Sequence, residues 1–241
     1  MNTVISITAS TVKIDSFYKY SMAMLQSMFD NSGLVDIPII FHYDSMTEDQ
    51  RTKLKIINPN IIEFRKIPTE TYKKYKKNSA GWFVLEGWNI KNYDTVIILD
   101  SDFICMGDLN YLTMLDAEIS MCKEKSGIYN AGLVVASKRL LDEGWYEAML
   151  TCNPDDVSIG GNRDKFSKDQ KLINAWLGDR INEIDEKYNC LVGTENDICS
   201  NMIHYIYKPL YASGRRQLMN IDPQLVKLWE LYYNKADRRI K

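Results

Sequence analysis

The first hundred residues alternate short apolar segments, rich in β-branched side chains, with segments of helical periodicity. The apolar segments predict four strands, at Val4–Thr8, Ile37–Tyr43, Ile61–Ile67 and Thr95–Leu99. A repeated order of strand, helix and strand is typical of a mainly parallel sheet with helices on both faces. The chain is therefore expected to form an α/β fold with a mixed, mainly parallel sheet flanked by helices, in a single domain.

Caps and apolar spacing mark the helices between these strands. The first helix is predicted between a cap at Asp15 or Ser16 and an end at Gly33, with apolar residues at helical intervals. The sequence SMTE, at 45–48, has the form of a capping box and predicts a second helix that ends near Ile57.

The second half of the chain is less regular. Strands are predicted at 117–122 and 131–137, and the polar segment 153–167, which contains paired glycines, is predicted to be a loop. Further helical segments are predicted at 70–91, 107–115, 138–151 and 168–178.

A last helix is predicted to begin at Asp222, with Pro223 in its first turn. Its apolar stripe is expected to pack on the same domain, as amphipathic surface helices normally do. It consists of Leu225, Leu228, Trp229 and Tyr232. The chain is thus divided into a domain over residues 1–215 and a C-terminal amphipathic helix with a basic tail over 216–241.

Composition excludes several classes of protein. The 30 basic and 32 acidic residues nearly balance, so no overall basic field indicates nucleic acid or an anionic membrane. Basic clusters at 72–77, 214–216 and 235–241 are interpreted first as solvated surface. The five scattered cysteines form no CxxC pair, and no signal peptide or transmembrane segment is recognised. A cytoplasmic protein is expected.

Two aspartates, Asp100 and Asp102, follow directly on the predicted strand Thr95–Leu99. Ligands of open α/β sheets bind beyond the carboxyl ends of the strands, and paired carboxylates there suit Mn²⁺ or Mg²⁺. Alone, an Asp-x-Asp pattern is also explained by a solvated turn. A phosphatase with a nucleophilic first Asp is disfavoured, because Phe103 follows the pair and three strands precede it.

Further motifs follow in a fixed order: YNAGLVVAS at 129–137, DQKLIN at 169–174, YN at 188–189 and IHYIYKP at 203–209. With the Asp-x-Asp pair, this ordered set resembles glycosyltransferase family 8, over about residues 4–210. The resemblance implies a GT-A fold, a UDP-sugar donor, Mn²⁺ and transfer with retention of anomeric configuration. The implied partners are therefore a nucleotide sugar and an acceptor.

The same resemblance assigns roles to individual residues. Asp100, Asp102 and His204 match the metal ligands, and Asp169 and Gln170 match the pair at the reaction centre. The implied substrate-binding residues are Ala9, Ser10, Tyr18, Ser101, Asn130, Ala131, Gly132, Tyr188, Asn189 and Lys208.

Several of these roles have structural alternatives. His204 lies in the apolar run MIHYIY, which on its own favours a core histidine. Tyr18 is preferred over Tyr20 as the ring that stacks on the nucleobase, because Tyr20 falls on the apolar stripe of its helix. Tyr188 and Asn189 are placed near the acceptor, and Lys208 beside the diphosphate.

The chain also departs from the family pattern. His204 and Lys208 are four residues apart without an intervening glycine, and Leu210 replaces the usual Trp. The family's lysine before the Asp-x-Asp strand aligns with Val84. These differences indicate an outlying member of the family.

The acceptor and the assembly are left open by the sequence. A surface saccharide or lipid-linked acceptor is favoured, with hydroxymethylated DNA as the alternative. A sugar-nucleotide-binding module without catalysis is a further alternative, which the retained acidic residues disfavour. A monomer or homodimer is expected.

Overall fold

The computed structural model describes residues 2–10, 16–153, 157, 168–192, 200–205 and 222–241, with the backbone alone for 16, 76–80 and 168. These residues form a seven-stranded sheet flanked by helices, and a smaller three-stranded sheet. The predicted mixed, mainly parallel α/β fold is confirmed.

The main sheet has the strand order β3-β2-β1-β4-β7-β6-β8. Strand β7 runs antiparallel to both its neighbours, and the other pairings in this sheet are parallel. Its strands are β1 (Thr3–Ala9), β2 (Ile39–Tyr43), β3 (Ile61–Lys66), β4 (Thr95–Asp100), β6 (Ile119–Lys123), β7 (Tyr129–Ser137) and β8 (Ile181–Ile184).

The smaller sheet joins segments that are distant in the sequence. In it β10 (Met202–His204) pairs antiparallel with β5 (Phe103–Cys105) and parallel with β9 (Cys190–Leu191). The α-helices are α1 (Ser16–Asn31), α2 (Glu48–Ile57), α3 (Asn110–Thr113), α4 (Lys138–Leu141), α5 (Trp145–Thr151), α6 (Lys168–Leu177) and α7 (Pro223–Arg239). Short 3-10 helices lie at Gly178–Arg180 and Glu186–Tyr188, and a longer one at Thr69–Asn89.

Strand β4 is covered on both faces, as its continuous apolar run predicts. Ile97 and Leu99 contribute to the core cluster beneath α1 and α2, and Val96 and Ile98 to the cluster beneath the 69–89 helix. A shift of β4 by one residue would exchange its two faces, so both core clusters would have to repack. The side chains that follow it at Asp100 and Asp102 are therefore held at a defined edge of the sheet.

The predicted capping box at the start of α2 was wrong by two residues. The N-cap is Thr47, whose hydroxyl accepts a hydrogen bond from the Gln50 backbone, while the Gln50 side chain accepts one from the Thr47 N–H. The hydroxyl of Ser45 instead donates to Asp44. Both patterns fit the motif, and the helix begins at the later one, where Thr47 itself has the extended backbone of an N-cap residue.

The single helix predicted over 138–151 is divided into α4 and α5. Gly144 lies between them with a φ of +85°, a left-handed conformation that glycine adopts without a Cβ clash. The short strands β5, β8, β9 and β10 were missed, because runs of two to four residues carry too little periodicity to be recognised. The segment predicted as helix over 70–91 is helical, but of the 3-10 type.

Helix α7 packs its apolar stripe against α1. The rings of Trp229 and Tyr20 meet edge to face with centroids 5.6 Å apart, and the Asn31 side chain donates to the Tyr232 hydroxyl at 2.6 Å. Tyr20 is thus a core residue, as its position on the stripe predicted. The proposed division at residue 215 lies outside the described residues. No described helix has the length and apolar character needed to cross a membrane.

His42 on β2 predicts a pH dependence of stability. The imidazole is buried, neither ring nitrogen has a hydrogen-bond partner, and burial, with a smaller effect of Arg65, lowers its pKa to about 3. Between pH ~6.5 and ~3 the unfolded chain binds a proton there that the folded chain does not, so stability falls as the pH falls.

We expect the free energy of unfolding of the wild type to decrease by up to about 1.4 kcal/mol per pH unit more steeply than that of His42→Gln in this range. Urea unfolding at a series of pH values measures both slopes, and the acidic groups common to the two proteins cancel. Equal slopes would show that His42 is protonated in the folded chain.

Candidate active site

Two carboxylates and one imidazole meet at the carboxyl edge of the main sheet. Asp100 ends β4, Asp102 lies in the turn that follows, and His204 is the last residue of β10. His204 Nε2 lies 3.2 Å from Asp102 Oδ1 and 3.7 Å from Asp100 Oδ2. One ligand atom from each of the three side chains falls within 4.8 Å of the others.

The small sheet places His204 beside the aspartates. His204 pairs with Phe103 across the β5–β10 ladder, and the two rings stack with centroids 4.2 Å apart. The Tyr205 N–H donates to the Asp102 carbonyl at 2.9 Å, which ties the end of β10 to the Asp-x-Asp turn. The imidazole is thus brought to the aspartates by backbone pairing over about a hundred residues of sequence.

The carboxylates of Asp100 and Asp102 lie close enough together that a positive charge between them would be stabilising. Burial and the neighbouring Asp102 carboxylate raise the pKa of Asp100 to about 7, with Asp169 adding to the effect and His204 opposing it. Burial lowers the pKa of His204, but the carboxylates of Asp102 and Asp100 outweigh this effect and the net shift is upward. Two like charges in a buried site repel unless a cation lies between them.

The three side chains fit a divalent cation. His204 Nε2 is buried without a hydrogen bond of its own, and it faces the oxygens of both aspartates. An imidazole nitrogen and two carboxylates form a donor set that suits Mn²⁺, and buried polar atoms rarely lack a partner. Among the described residues, this is the group of metal-ligating side chains that the structure brings together.

A network of side-chain amides extends from His204 away from the aspartates. Asn189 Oδ1 lies 3.0 Å from His204 Nδ1, and Asn189 Nδ2 donates to Asn130 Oδ1 at 2.9 Å. Asn130 Nδ2 and Gln170 Nε2 both donate to the same oxygen of Glu124, at 2.7 and 3.0 Å. The predicted residues of four separate motifs are thus connected in one hydrogen-bonded group.

Gly132 allows the imidazole to approach β7. A Cβ at this position would lie 2.3 Å from His204 Cε1 and 2.7 Å from Nδ1, distances that real side chains do not reach. The space that the missing Cβ leaves is occupied by the ring of His204, which explains the glycine in the NAG sequence. The backbone N–H of Gly132 donates to Asn130 Oδ1 at 2.9 Å.

The remaining predicted residues lie at several places around this group. Asp169 and Gln170, in the first turn of α6, are buried, and Gln170 Oε1 accepts from the Ala131 N–H at 3.3 Å. Ser101 is buried in the turn between the two aspartates. Asp169 is close enough to raise the pKa of Asp100, so α6 faces the aspartate pair.

The predicted nucleoside-binding residues lie at the end of β1. Ala9 is buried, and the Ser10 hydroxyl donates to Asp44 Oδ2 at 2.6 Å. The Tyr18 ring is partly buried, and burial, with a smaller effect of Asp49, raises its pKa to about 12.

Two further predicted residues stand apart from the network. Tyr188 is buried and stacks on Tyr111 with centroids 5.4 Å apart. Lys208 lies outside the described residues, so its predicted contact with a diphosphate stays a prediction. The GRR cluster at 214–216 and most of the predicted loop at 153–167 also lie outside the described residues.

Sequence reasoning missed Glu124 and Asp44. Glu124 lies in the turn between β6 and β7 within the charged stretch KEK, and its partners Asn130 and Gln170 are six and 46 residues away. Asp44 follows β2, next to Ser10, which follows the neighbouring strand β1. Asp44 could have been identified because its carboxylate lies just beyond a predicted strand. No local pattern in the sequence marks Glu124.

The sequence of the chain is similar to parts of two known proteins. No protein-family model matches the chain. It is 24% identical over 115 residues, or 48% of its length, to a provisionally named UDP-glucuronate:xylan alpha-glucuronosyltransferase 5 from Arabidopsis thaliana. It is 24% identical over 157 residues, or 59% of its length, to the glycosyltransferase GlyF from Streptococcus pneumoniae. The chain spans 20% and 38% of the lengths of these two relatives.

Solved structures extend the similarity to the whole chain. The galactosyltransferase LgtC, solved with donor and acceptor sugar analogues, superposes with a TM-score of 0.72 at 12% identity, covering 96% of this chain and 95% of LgtC. The glycosyltransferase GlyE from Streptococcus pneumoniae superposes with a TM-score of 0.66 at 15% identity, covering 99% of this chain and 65% of GlyE. The chain has the GT-A glycosyltransferase fold, as its motifs predicted.

Proposed function

We propose that this chain is a retaining glycosyltransferase that transfers a sugar from a UDP-sugar to an acceptor hydroxyl and depends on a divalent cation, Mn²⁺ or Mg²⁺. The observation that carries the proposal is the meeting of Asp100, Asp102 and His204 at the carboxyl edge of a GT-A fold, with Nε2 of His204 facing both carboxylates. Relatives named as glycosyltransferases in both comparisons support the enzyme class.

Asp100, Asp102 and His204 would hold the cation. When bound, it supplies positive charge that neutralises the leaving diphosphate. The three side chains are positioned by β4, the turn that follows it and β10, and such preorganisation avoids reorganisation during the reaction.

The other residues of the network act on the donor sugar. The second N–H of the Asn130 amide can donate to a sugar hydroxyl. The space beside Gly132 is filled by the His204 ring, so this glycine serves the imidazole rather than the sugar. Asp169 and Gln170 face the reaction centre, where the negative charge of Asp169 and the dipole of Gln170 stabilise a developing oxocarbenium ion. Glu124 holds Asn130 and Gln170 in place through one shared oxygen.

Bond changes in this reaction need no nucleophile from the protein. The bond between the anomeric carbon and the diphosphate oxygen breaks, and the acceptor oxygen bonds to that carbon on the same face. The acceptor proton passes to the leaving phosphate oxygen. UDP and the glycosylated acceptor are the products, with the anomeric configuration retained.

A saccharide or lipid-linked acceptor is favoured over hydroxymethylated DNA. Two of the basic side chains near the C-terminus are paired within the chain: Lys235 with Asp30 at 3.0 Å, and Lys241 with Asp237 at 2.6 Å. In the 72–77 cluster, Tyr72 and Tyr75 are buried in the core rather than available for stacking on bases. The charges of Lys235 and Lys241 are therefore already neutralised within the chain and are less available to phosphates.

Release of UDP from a panel of UDP-sugars tests the proposal. The purified chain is incubated with each donor and Mn²⁺, or with EDTA, alone and with saccharide acceptors or hydroxymethylated DNA. We expect Mn²⁺-dependent release from one donor, accelerated by a saccharide acceptor. Tight nucleotide binding without release from any donor would support a sugar-nucleotide-binding module, and acceleration by the DNA would change the acceptor class.

A further inference from the structure

A line of buried amides connects the carboxylate of Glu124 to the imidazole of His204. Asn130 contacts Glu124, Asn189 contacts Asn130, and His204 contacts Asn189, each within 3.0 Å. Asn130, Asn189 and His204 are 7%, 4% and 3% exposed. At this depth water does not substitute for a missing partner, so the direction of each hydrogen bond matters.

The orientation of the Asn130 amide is fixed from both sides. The backbone N–H of Gly132 can only donate, and it lies 2.9 Å from Asn130 Oδ1. Glu124 Oε1 accepts from Asn130 Nδ2 at 2.7 Å, and it accepts from Gln170 Nε2 as well. Exchanging the oxygen and nitrogen of Asn130 would place donor against donor and acceptor against acceptor.

This orientation determines that of Asn189. Since Asn130 Oδ1 is an acceptor, the atom of Asn189 that lies 2.9 Å from it is the donor Nδ2. The carbonyl oxygen of Asn189 must then face His204, and it lies 3.0 Å from Nδ1. A carbonyl oxygen can only accept, so His204 Nδ1 carries a proton.

We propose that Asn189 is a positioning residue that keeps a proton on His204 Nδ1 and so leaves the lone pair of Nε2 directed at Asp100 and Asp102. Histidines that bind metals commonly donate their second N–H to an oxygen acceptor, which fixes the tautomer. Without this acceptor, the negative charge of Asp102, whose Oδ1 lies 3.2 Å from Nε2, would favour the proton of a neutral imidazole on Nε2. Nε2 could then not bind a cation.

The proposal gives Asn189 a place beside the metal ligands, whereas the family resemblance implied a place near the acceptor. It rests on the proposed function only for the identity of what Nε2 binds. The direction of the hydrogen bonds depends on Gly132, Glu124 and the two asparagines alone.

Nuclear magnetic resonance of ¹⁵N-histidine-labelled protein locates the proton directly. The chain has two histidines, and His42, without a hydrogen-bond partner on either ring nitrogen, gives a distinct reference signal. We expect Nδ1 of His204 to carry a proton both without metal and with diamagnetic Mg²⁺, and Nε2 to carry none once Mg²⁺ is bound. The state of Nε2 matters because a cationic imidazole carries a proton on both nitrogens. An unprotonated Nδ1 in either state would overturn the proposal.

Two variants at position 189 separate positioning from packing. Asn189→Leu removes the acceptor opposite Nδ1, and we expect its affinity for Mn²⁺ to fall roughly 10–100-fold in calorimetric titration, the effect typical of lost partners of metal ligands. Asn189→Asp keeps an oxygen opposite Nδ1 and should retain more of that affinity. Asn182→Leu, whose side chain contacts Ser120 on the neighbouring strand, is the matched control and should bind as the wild type does.

The outcomes distinguish this proposal from the proposed function. Wild-type affinity in Asn189→Leu, or an equal loss in the Leu and Asp variants, would overturn the positioning role. If Asn189→Leu does not fold, the resonance measurement on the labelled wild type still tests whether His204 Nδ1 carries the proton. A neutral imidazole with its proton on Nδ1, in a protein that binds neither Mg²⁺ nor Mn²⁺, would support the hydrogen-bond assignment and contradict the metal-dependent function.

Discussion

Asp102→Asn is expected to reduce metal-dependent cleavage of the donor by roughly 1,000-fold, equivalent to about 4 kcal/mol of activation free energy. Asparagine preserves the shape of the side chain, but it removes one of the two charges that would hold the cation. Asp102 is 1% exposed, so no solvent charge replaces it. Release of UDP from the preferred donor, in the presence of saturating Mn²⁺, measures the loss.

The fold of this variant should be intact. In the metal-free protein the variant loses both the repulsion between Asp102 and Asp100 and the attraction between Asp102 and His204. Because these two effects oppose each other, the melting temperature should change little. Asp116→Asn, at an exposed position, is the matched control and should keep wild-type activity. An Asp102→Asn enzyme with most of its activity would refute the assignment of Asp102 as a metal ligand.

Gly132→Ala is the second change for which we expect a large effect. Its Cβ would lie 2.3 Å from His204 Cε1, so the imidazole must move away from β7, where Phe103 on its other side limits the space. Displacing a metal ligand by even an ångström costs on the order of 100-fold in activity. We expect at least that loss in UDP release, together with weaker binding of Mn²⁺.

Gly178→Ala provides the control, because a Cβ there meets no atom within 4 Å. It should leave both activity and Mn²⁺ affinity unchanged. If Gly132→Ala bound Mn²⁺ as tightly as the wild type, His204 would not be a ligand in the position that the structure gives it. Loss of folding in Gly132→Ala, detected by circular dichroism, would instead show that β7 cannot adjust.

Much of the fold followed from local pattern. The apolar runs at β1, β2, β3 and β4 are each long enough to be recognised, and their alternation with helices gave the mainly parallel sheet. The small sheet was not recognised, because β5, β9 and β10 have three, two and three residues and pair across long separations. Such pairing is decided by tertiary packing, which local propensity does not contain.

Some residues of the candidate site could likewise be identified from local sequence, and others could not. Asp100 and Asp102 were identified from their position after a buried strand, which is a local feature. His204 lies in an apolar run, and that run alone favoured a core histidine. The prediction that His204 lies beside the aspartates therefore depended on the family resemblance. Glu124 could not be identified from the sequence, since its role arises only when β6, β7 and α6 come together.

Titration of UDP into the protein tests the central claim most directly, that Asp100, Asp102 and His204 hold a divalent cation against a nucleotide diphosphate. Calorimetry with Mn²⁺ and with EDTA compares the two affinities in the unmodified chain. The account predicts that UDP binds at least about tenfold more tightly with Mn²⁺, a difference of about 1.4 kcal/mol. Equal affinity under the two conditions would contradict it.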